Sequence, residues 1–202
     1  PSSKRNPQSV SWALTADTLD YLLELNQNGE DVREAYATIL LRRIFSPFAT
    51  GYVDLRSPAA AGFGVLVYNY DGQVYPTDEA RMAAETGDMR FALGHVSLPL
   101  DQLLDSPALR WLEAGSVAER LPGCRDCAFV PFCGADPVYH ASVHGDPVGD
   151  RASSEFCQRH LSLFDLLFAH IDAADPEAMR TFVAWAFDRP RSEVVDAGYV
   201  DR

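Results

Sequence analysis

No cysteine stands before residue 124, and the chain of 202 residues has only four. That is too few for a secreted disulfide scaffold, in which small cores force dense bridging. Bridges that staple a fold would also be spread along the chain rather than gathered in one half. No run reaches the roughly 18 apolar residues of a membrane-spanning helix. The N-terminal PSSKRNPQSVSW lacks the apolar stretch of a secretion signal, so the expected location is the cytoplasm. No Lys/Arg cluster offsets a net charge of −12, from 17 basic and 29 acidic residues. A phosphate backbone would be repelled, which argues against nucleic acid as a partner and leaves a basic or neutral peptide, or a basic domain, as a tolerated one. Internal repeats and low-complexity runs are absent too. At 47% hydrophobic and 23% charged the chain is globular in composition, long enough for one large domain or two small ones.

Periodicity predicts mainly helices. Residues 1–14 carry few apolar positions and read as an arm or linker. TADTLDYLLELNQN, 15–28, places Leu19, Leu22, Leu23 and Leu25 near one stripe, and Asn28-Gly29 ends it. DVREAYATILLRRI, 31–44, sets Val32, Ala35, Tyr36, Ile39 and Leu40 at helical spacing, with Asp31 as the expected cap and Arg42 and Arg43 at the dipole end. TGYVDLRSPAAAGFG, 50–64, reads as a loop or domain junction. GVLVYNYDGQVYP reads as a hairpin, with Asp71-Gly72 as its turn. A short helix is expected within 78–87. Another is expected in the second half of 98–115, started by Ser106-Pro107. Residues 120–150, rich in Gly, Pro, Cys and Asp, read as irregular loops held by something other than a core. Helices over 153–173 and 175–188 close the chain.

Three of the four cysteines fall within CRDCAFVPFC, as C-x2-C-x5-C at Cys124, Cys127 and Cys133. The x2 turn lets two thiolates grip one centre while its backbone N–H groups face the sulfurs, and the x5 loop can bring a third. Cys157, in the first turns of the helix at 153–173, is a rigid place for a fourth. Four thiolates complete either a 4Fe–4S cluster or a tetrahedral zinc site, and either would organise 120–150 without a core. A disulfide or four buried free thiols are the blander readings. Zinc sites commonly pair two C-x2-C knuckles, and the second knuckle is missing.

This spacing with a distal cysteine resembles the SPASM domain, the auxiliary iron–sulfur domain of radical S-adenosylmethionine peptide maturases. The hairpin VYNYDGQVYPTDEARM resembles the strand pair that opens that domain. With GYVDLRSPAAAGFG and LPGCRDCAFVPFCGADPVYH…GDPVGDRASSEFCQRH, the chain looks most like the maturase of His-Xaa-Ser peptide systems over roughly residues 15–172. The usual continuation to a cysteine at 137 is Pro137, and the hairpin's usual closing cysteine is Thr77. The ligands of a first auxiliary cluster are therefore missing, and the four cysteines match those of the second. No C-x3-C-x2-C motif for the radical-generating cluster occurs in the sequence.

The resemblance implies an α+β chain with three parts: residues 1–50 as a linker and helices bridging to a partial (β/α) barrel, 51–172 as a SPASM-like iron–sulfur domain, and 173–202 as a helical extension. It implies one 4Fe–4S cluster held by Cys124, Cys127, Cys133 and Cys157 in a ribosomal-peptide maturase. The expected roles are electron transfer and peptide binding, in an oxidoreductase not active from this chain alone. S-adenosylmethionine and a second 4Fe–4S cluster would belong to the complete enzyme. The implied partners are a precursor peptide, a radical-generating barrel domain, fused or separate, and a reducing protein such as a flavodoxin. The alternative is a zinc-stabilised peptide-binding module without redox function. Asp78 stands where related sulfatase maturases carry the aspartate that takes the substrate proton; as an ordinary residue it would cap the helix at 79–85. Glu79 and Arg81 read as a local ion pair. His140 and His144 read as surface or hydrogen-bonding residues, and His160 as a packed residue or one that tunes the cluster. Asp136, Asp146 and Asp150 read as turn residues, and Phe156, Phe164 and Phe168 as a core stripe.

Overall fold

The computed structural model describes residues 7–48 and 50–194. Along the chain the helices are Pro7–Gln27 (α1), Ala35–Phe45 (α2), Asp78–Glu85 (α3), Leu100–Leu104 (α4), Pro107–Glu113 (α5), Pro137–His144 (α6), Glu155–Asp172 (α7) and Pro176–Phe187 (α8). Three short strands, Val67–Tyr68 (β1), Gln73–Tyr75 (β2) and Gly94–His95 (β3), make one antiparallel sheet in the order β1-β2-β3. The class is α+β, with far more helix than strand. No helix among the described residues is long and apolar enough to cross a membrane.

The chain divides into two compact units. A helical unit holds α1, α2, α8 and α7 from Gln158 onward; a cysteine unit is Gly51–Cys157. The stretch 51–172 is thus split within α7, and the part after Cys157 belongs with the helices of 1–50.

In the helical unit, Leu19, Leu23, Leu40, Leu41, Phe164, Leu167, Phe182 and Trp185 leave solvent almost completely. Buried Asn26 ties the α1–α2 connection by donating Nδ2 to Leu22 O and Val32 O, both at 2.7 Å. The Arg42 guanidinium, near the end of α2, donates through Nε to Ala186 O of α8 at 2.9 Å. Two expectations need correction. Part of the supposed arm of 1–14 is helical, because α1 begins at Pro7; proline suits a first helical position, where its missing N–H costs nothing. The cap of α2 is Glu34, whose carboxylate accepts from Ala37 N. Asp31 lies too far ahead and instead meets Arg33 at 3.6 Å, and Val32 falls outside the helix.

In the cysteine unit, the Asp71-Gly72 hairpin forms as expected. Val67 faces Tyr75 and Tyr68 faces Val74; Gly72 takes φ +83°, and Asp71 Oδ1 accepts from Gln73 N at 2.9 Å. Strand residues alternate faces. Val74 therefore packs with Leu93, Leu103 and Leu109, while Tyr75 packs with Ala80, Phe91, Leu112 and Val138. The third strand, only two residues long, was not expected. Ser106 caps α5 as expected, accepting from Leu109 N at 3.3 Å with Pro107 in the first turn. The region 120–150 is less irregular than its composition suggests. α6 starts on Pro137, capped by Asp136 (Oδ1 to Tyr139 N, 3.0 Å), and ends at Gly145 with φ +73°. Pro137 and Gly145, whose types suggest a loop, are the helix's ends.

Candidate metal centre

The cysteine loop is a chain of consecutive turns. Cys124 N donates to Leu121 O (3.1 Å), Cys127 N to Cys124 O (2.9 Å), Val130 N to Cys127 O (3.2 Å) and Cys133 N to Phe129 O (3.0 Å). Each cysteine thus begins or closes a turn. The apolar support is small: Ala59, Ala118, Leu121 and Ala135, with Cys124, Val130 and Val148 packed against them. After Cys133 the backbone runs flush against a 3-10 turn, Val53–Leu55. A Cβ on Gly134 would collide with the Asp54 carbonyl, so only glycine fits there.

Cys157 reaches the same neighbourhood from α7. Ser154 caps that helix: its Oγ accepts from Cys157 N at 3.1 Å and donates to Arg151 O at 2.7 Å. All four cysteines are free thiols, neither fully buried nor fully exposed. They act on one another electrostatically. Burial pushes the Cys133 thiol up to about 12, and Cys124, Cys157 and Cys127 add to the rise. Burial also raises Cys124 and Cys157, against the pull of the Arg151 cation. Among the described residues no group of three or more His, Cys, Asp or Glu is arranged to hold a single metal ion. The donor set is four soft sulfurs with a cation beside them. Each thiol would have to lose its proton before it could bind a metal.

Arg151 is the residue that sequence reasoning passed over. Its side chain is buried, and its guanidinium donates to three backbone carbonyls: Nε to Val148 O at 2.6 Å, and Nη2 to Pro147 O at 2.5 Å and Gly115 O at 3.1 Å. One signal was available: it is the only Lys or Arg between Arg125 and Arg159, the stretch that carries three of the four cysteines.

The remaining candidates are placed as follows. Asp78 is the first residue of α3 but not its cap; Thr77 caps it, with Oγ1 accepting from Ala80 N at 3.2 Å. The exposed Asp78 carboxylate takes Arg81 Nε at 2.9 Å, and Arg81 also reaches Glu85 at 4.0 Å. The pair expected between Glu79 and Arg81 is therefore Asp78–Arg81. His140 is neither at the surface nor hydrogen-bonded: it is fully buried, both ring nitrogens lack a partner, and its ring stacks on His144 at 5.6 Å. Burial, with the charges of Arg151 and His144, holds it down to about 3 and therefore neutral. His160 lies in the helical unit, where Nε2 meets the Tyr36 hydroxyl at 2.7 Å. Asp146 and Asp150 are turn residues as expected, bonded to Val148 N (3.0 Å) and Ser153 Oγ (2.7 Å). Asp136 is a cap, and burial lifts its carboxyl to about 6. Phe156 and Phe164 are buried and Phe168 is half-buried, consistent with a core stripe.

No family model matches the chain, and no curated protein matches it. Among solved structures, one described as "Native anSMEcpe with bound AdoMet" is similar in fold, with a TM-score of 0.53 at 18% identity. The similarity covers 80% of this chain and 41% of that one, so the chain spans less than half of that protein's length.

Proposed function

We propose that this chain is the auxiliary iron–sulfur part of a radical S-adenosylmethionine maturase that modifies a ribosomally made peptide. Cys124, Cys127, Cys133 and Cys157 are its ligands, and one 4Fe–4S cluster is their guest. One observation carries the reading: thiols from a turn-rich loop and from the first turn of a helix lie within electrostatic reach of one another, in a region with little core of its own. Likeness in fold to an AdoMet-bound protein agrees with an S-adenosylmethionine-dependent parent enzyme.

When bound, the group supplies a one-electron store with every iron closed to substrate by a protein sulfur. The chain's residues do the rest. The turns of 121–133 aim the loop thiols, Ser154 fixes the height of Cys157, and Gly134 seats the loop against the 3-10 turn. Asp78 is the candidate proton acceptor, and that role requires its ion pair with Arg81 to open. S-adenosylmethionine and the radical-generating cluster belong to a partner barrel, because this sequence has no C-x3-C-x2-C motif. A precursor peptide and a reducing protein such as a flavodoxin complete the set.

Anaerobic purification tests the reading. Brown protein with a thiolate-to-iron absorption band, bleached in Cys157→Ala, is the expected result. Colourless protein carrying zinc would instead leave the peptide-binding module without redox chemistry.

A further inference from the structure

We propose that Arg151 is the fixed counter-charge of the four-thiolate site and makes a bound cluster easier to reduce. The inference rests on the cluster reading above and concerns a residue outside the ligand set.

A guanidinium taken out of water needs an anion or full hydrogen bonding, since an uncompensated buried charge costs several kcal/mol. Arg151 is 3% exposed. Its three bonds go to carbonyl oxygens, which are dipoles and not charges. No carboxylate pairs with it among the described residues. The groups whose charge acts on it are the Cys124 and Cys133 thiols, with Asp136 and Asp146. An oxidised 4Fe–4S cluster on four thiolates carries a net charge of about −2 and, if held here, would supply a full counter-charge.

The position of the cation is fixed by the fold. Gly115 admits the contact because a Cβ there would strike the Pro147 carbonyl and come within 3.1 Å of Arg151 Nη2. The backbone of the same arginine accepts from Ser154 Oγ, which in turn receives Cys157 N, so residue 151 sets both the charge and the start of the ligand helix. One-electron reduction of such a cluster by a low-potential donor such as dithionite would turn the dianion into a trianion. A fixed positive charge stabilises the trianion more than the dianion, so it raises the potential. Net charge is one of the factors that set such potentials.

The test is a redox titration of the full chain, reconstituted anaerobically, after its iron and sulfide have been counted. In Arg151→Gln the ratio of oxidised to reduced cluster at a given potential should rise at least tenfold, a fall of about 59 mV for one electron. Arg151→Lys, which keeps the charge and loses the fork, should lie between wild type and Gln. A Gln variant with wild-type iron content and wild-type potential overturns the inference. If Gln does not load, Lys decides: loading restored by Lys supports a counter-charge, whereas a Lys variant as empty as Gln makes Arg151 a packing element and overturns it. A wild-type chain that takes up no iron or sulfide overturns the cluster reading, and this inference with it.

Discussion

Phe164, Phe182 and Trp185 are fully out of solvent in the helical unit, whereas between 121 and 136 of the cysteine unit the only buried apolar side chains are Leu121 and Ala135. The first region has long helices whose stripes meet and exclude water. The second has successive turns and three thiols that are only partly covered, with buried Arg151 and the fourth thiol, Cys157, further along the same unit. Burial of large side chains accounts for the one; in the other, the proposed centre would do what a core does elsewhere.

The largest break in that comparison should come from Cys133→Ala. It removes the most deeply covered thiol and should abolish cluster loading and expose the 121–136 loop to protease, while circular dichroism keeps the signal of the helical unit. Iron analysis and limited proteolysis read both effects. Next is the reverse experiment, Phe182→Ala, which should cost roughly 3–5 kcal/mol in the helical unit by denaturant unfolding. The iron content of the folded protein should not change. A smaller effect tests where Cys157 is held: Ser154→Ala deletes the cap of α7 and should cost about 1 kcal/mol, with faster iron release to a chelator.

His140 gives the smallest and most diagnostic shift. Its ordinary pKa of 6.5 is lowered to about 3 in the fold, chiefly by burial. Between those values the unfolded chain takes up a proton that the folded chain refuses, so this residue's share of stability is complete above 6.5 and is lost as pH falls. Asp136 has the opposite sign. Its carboxyl rises from 3.8 to about 6, so between these values the folded chain holds the extra proton and acid favours it. The difference between wild type and His140→Leu isolates the histidine. Thermal unfolding from pH 7.5 down to 5 should fall more steeply in wild type, and parallel curves would contradict the buried neutral ring.

Local chemistry was legible where residues a few positions apart decide the outcome. Asp71-Gly72 specified the hairpin, Ser106-Pro107 started α5, and the stripe of 153–173 gave α7 with Cys157 in its first turn. The misreadings came from punctuation whose sense depends on place. Pro137 and Gly145 break a helix from inside and define one from its ends, eight residues apart, so α6 was hidden in a segment read as loop. Asp31 and Glu34 are both able to cap, and only the observed start of α2 chooses between them. β3 is too short to show a period; Gly94 and His95 are strand because Gln73 and Val74 offer them an edge. For the proposed centre, spacing singled out the four cysteines. Arg151 could not be found that way, because what makes it matter is burial beside residues far from it in sequence.

The most direct measurement is the iron, sulfide and zinc content of the anaerobically purified chain. The account predicts about four irons and four sulfides per chain. One zinc with no sulfide would contradict it and leave the thiols as a structural clasp.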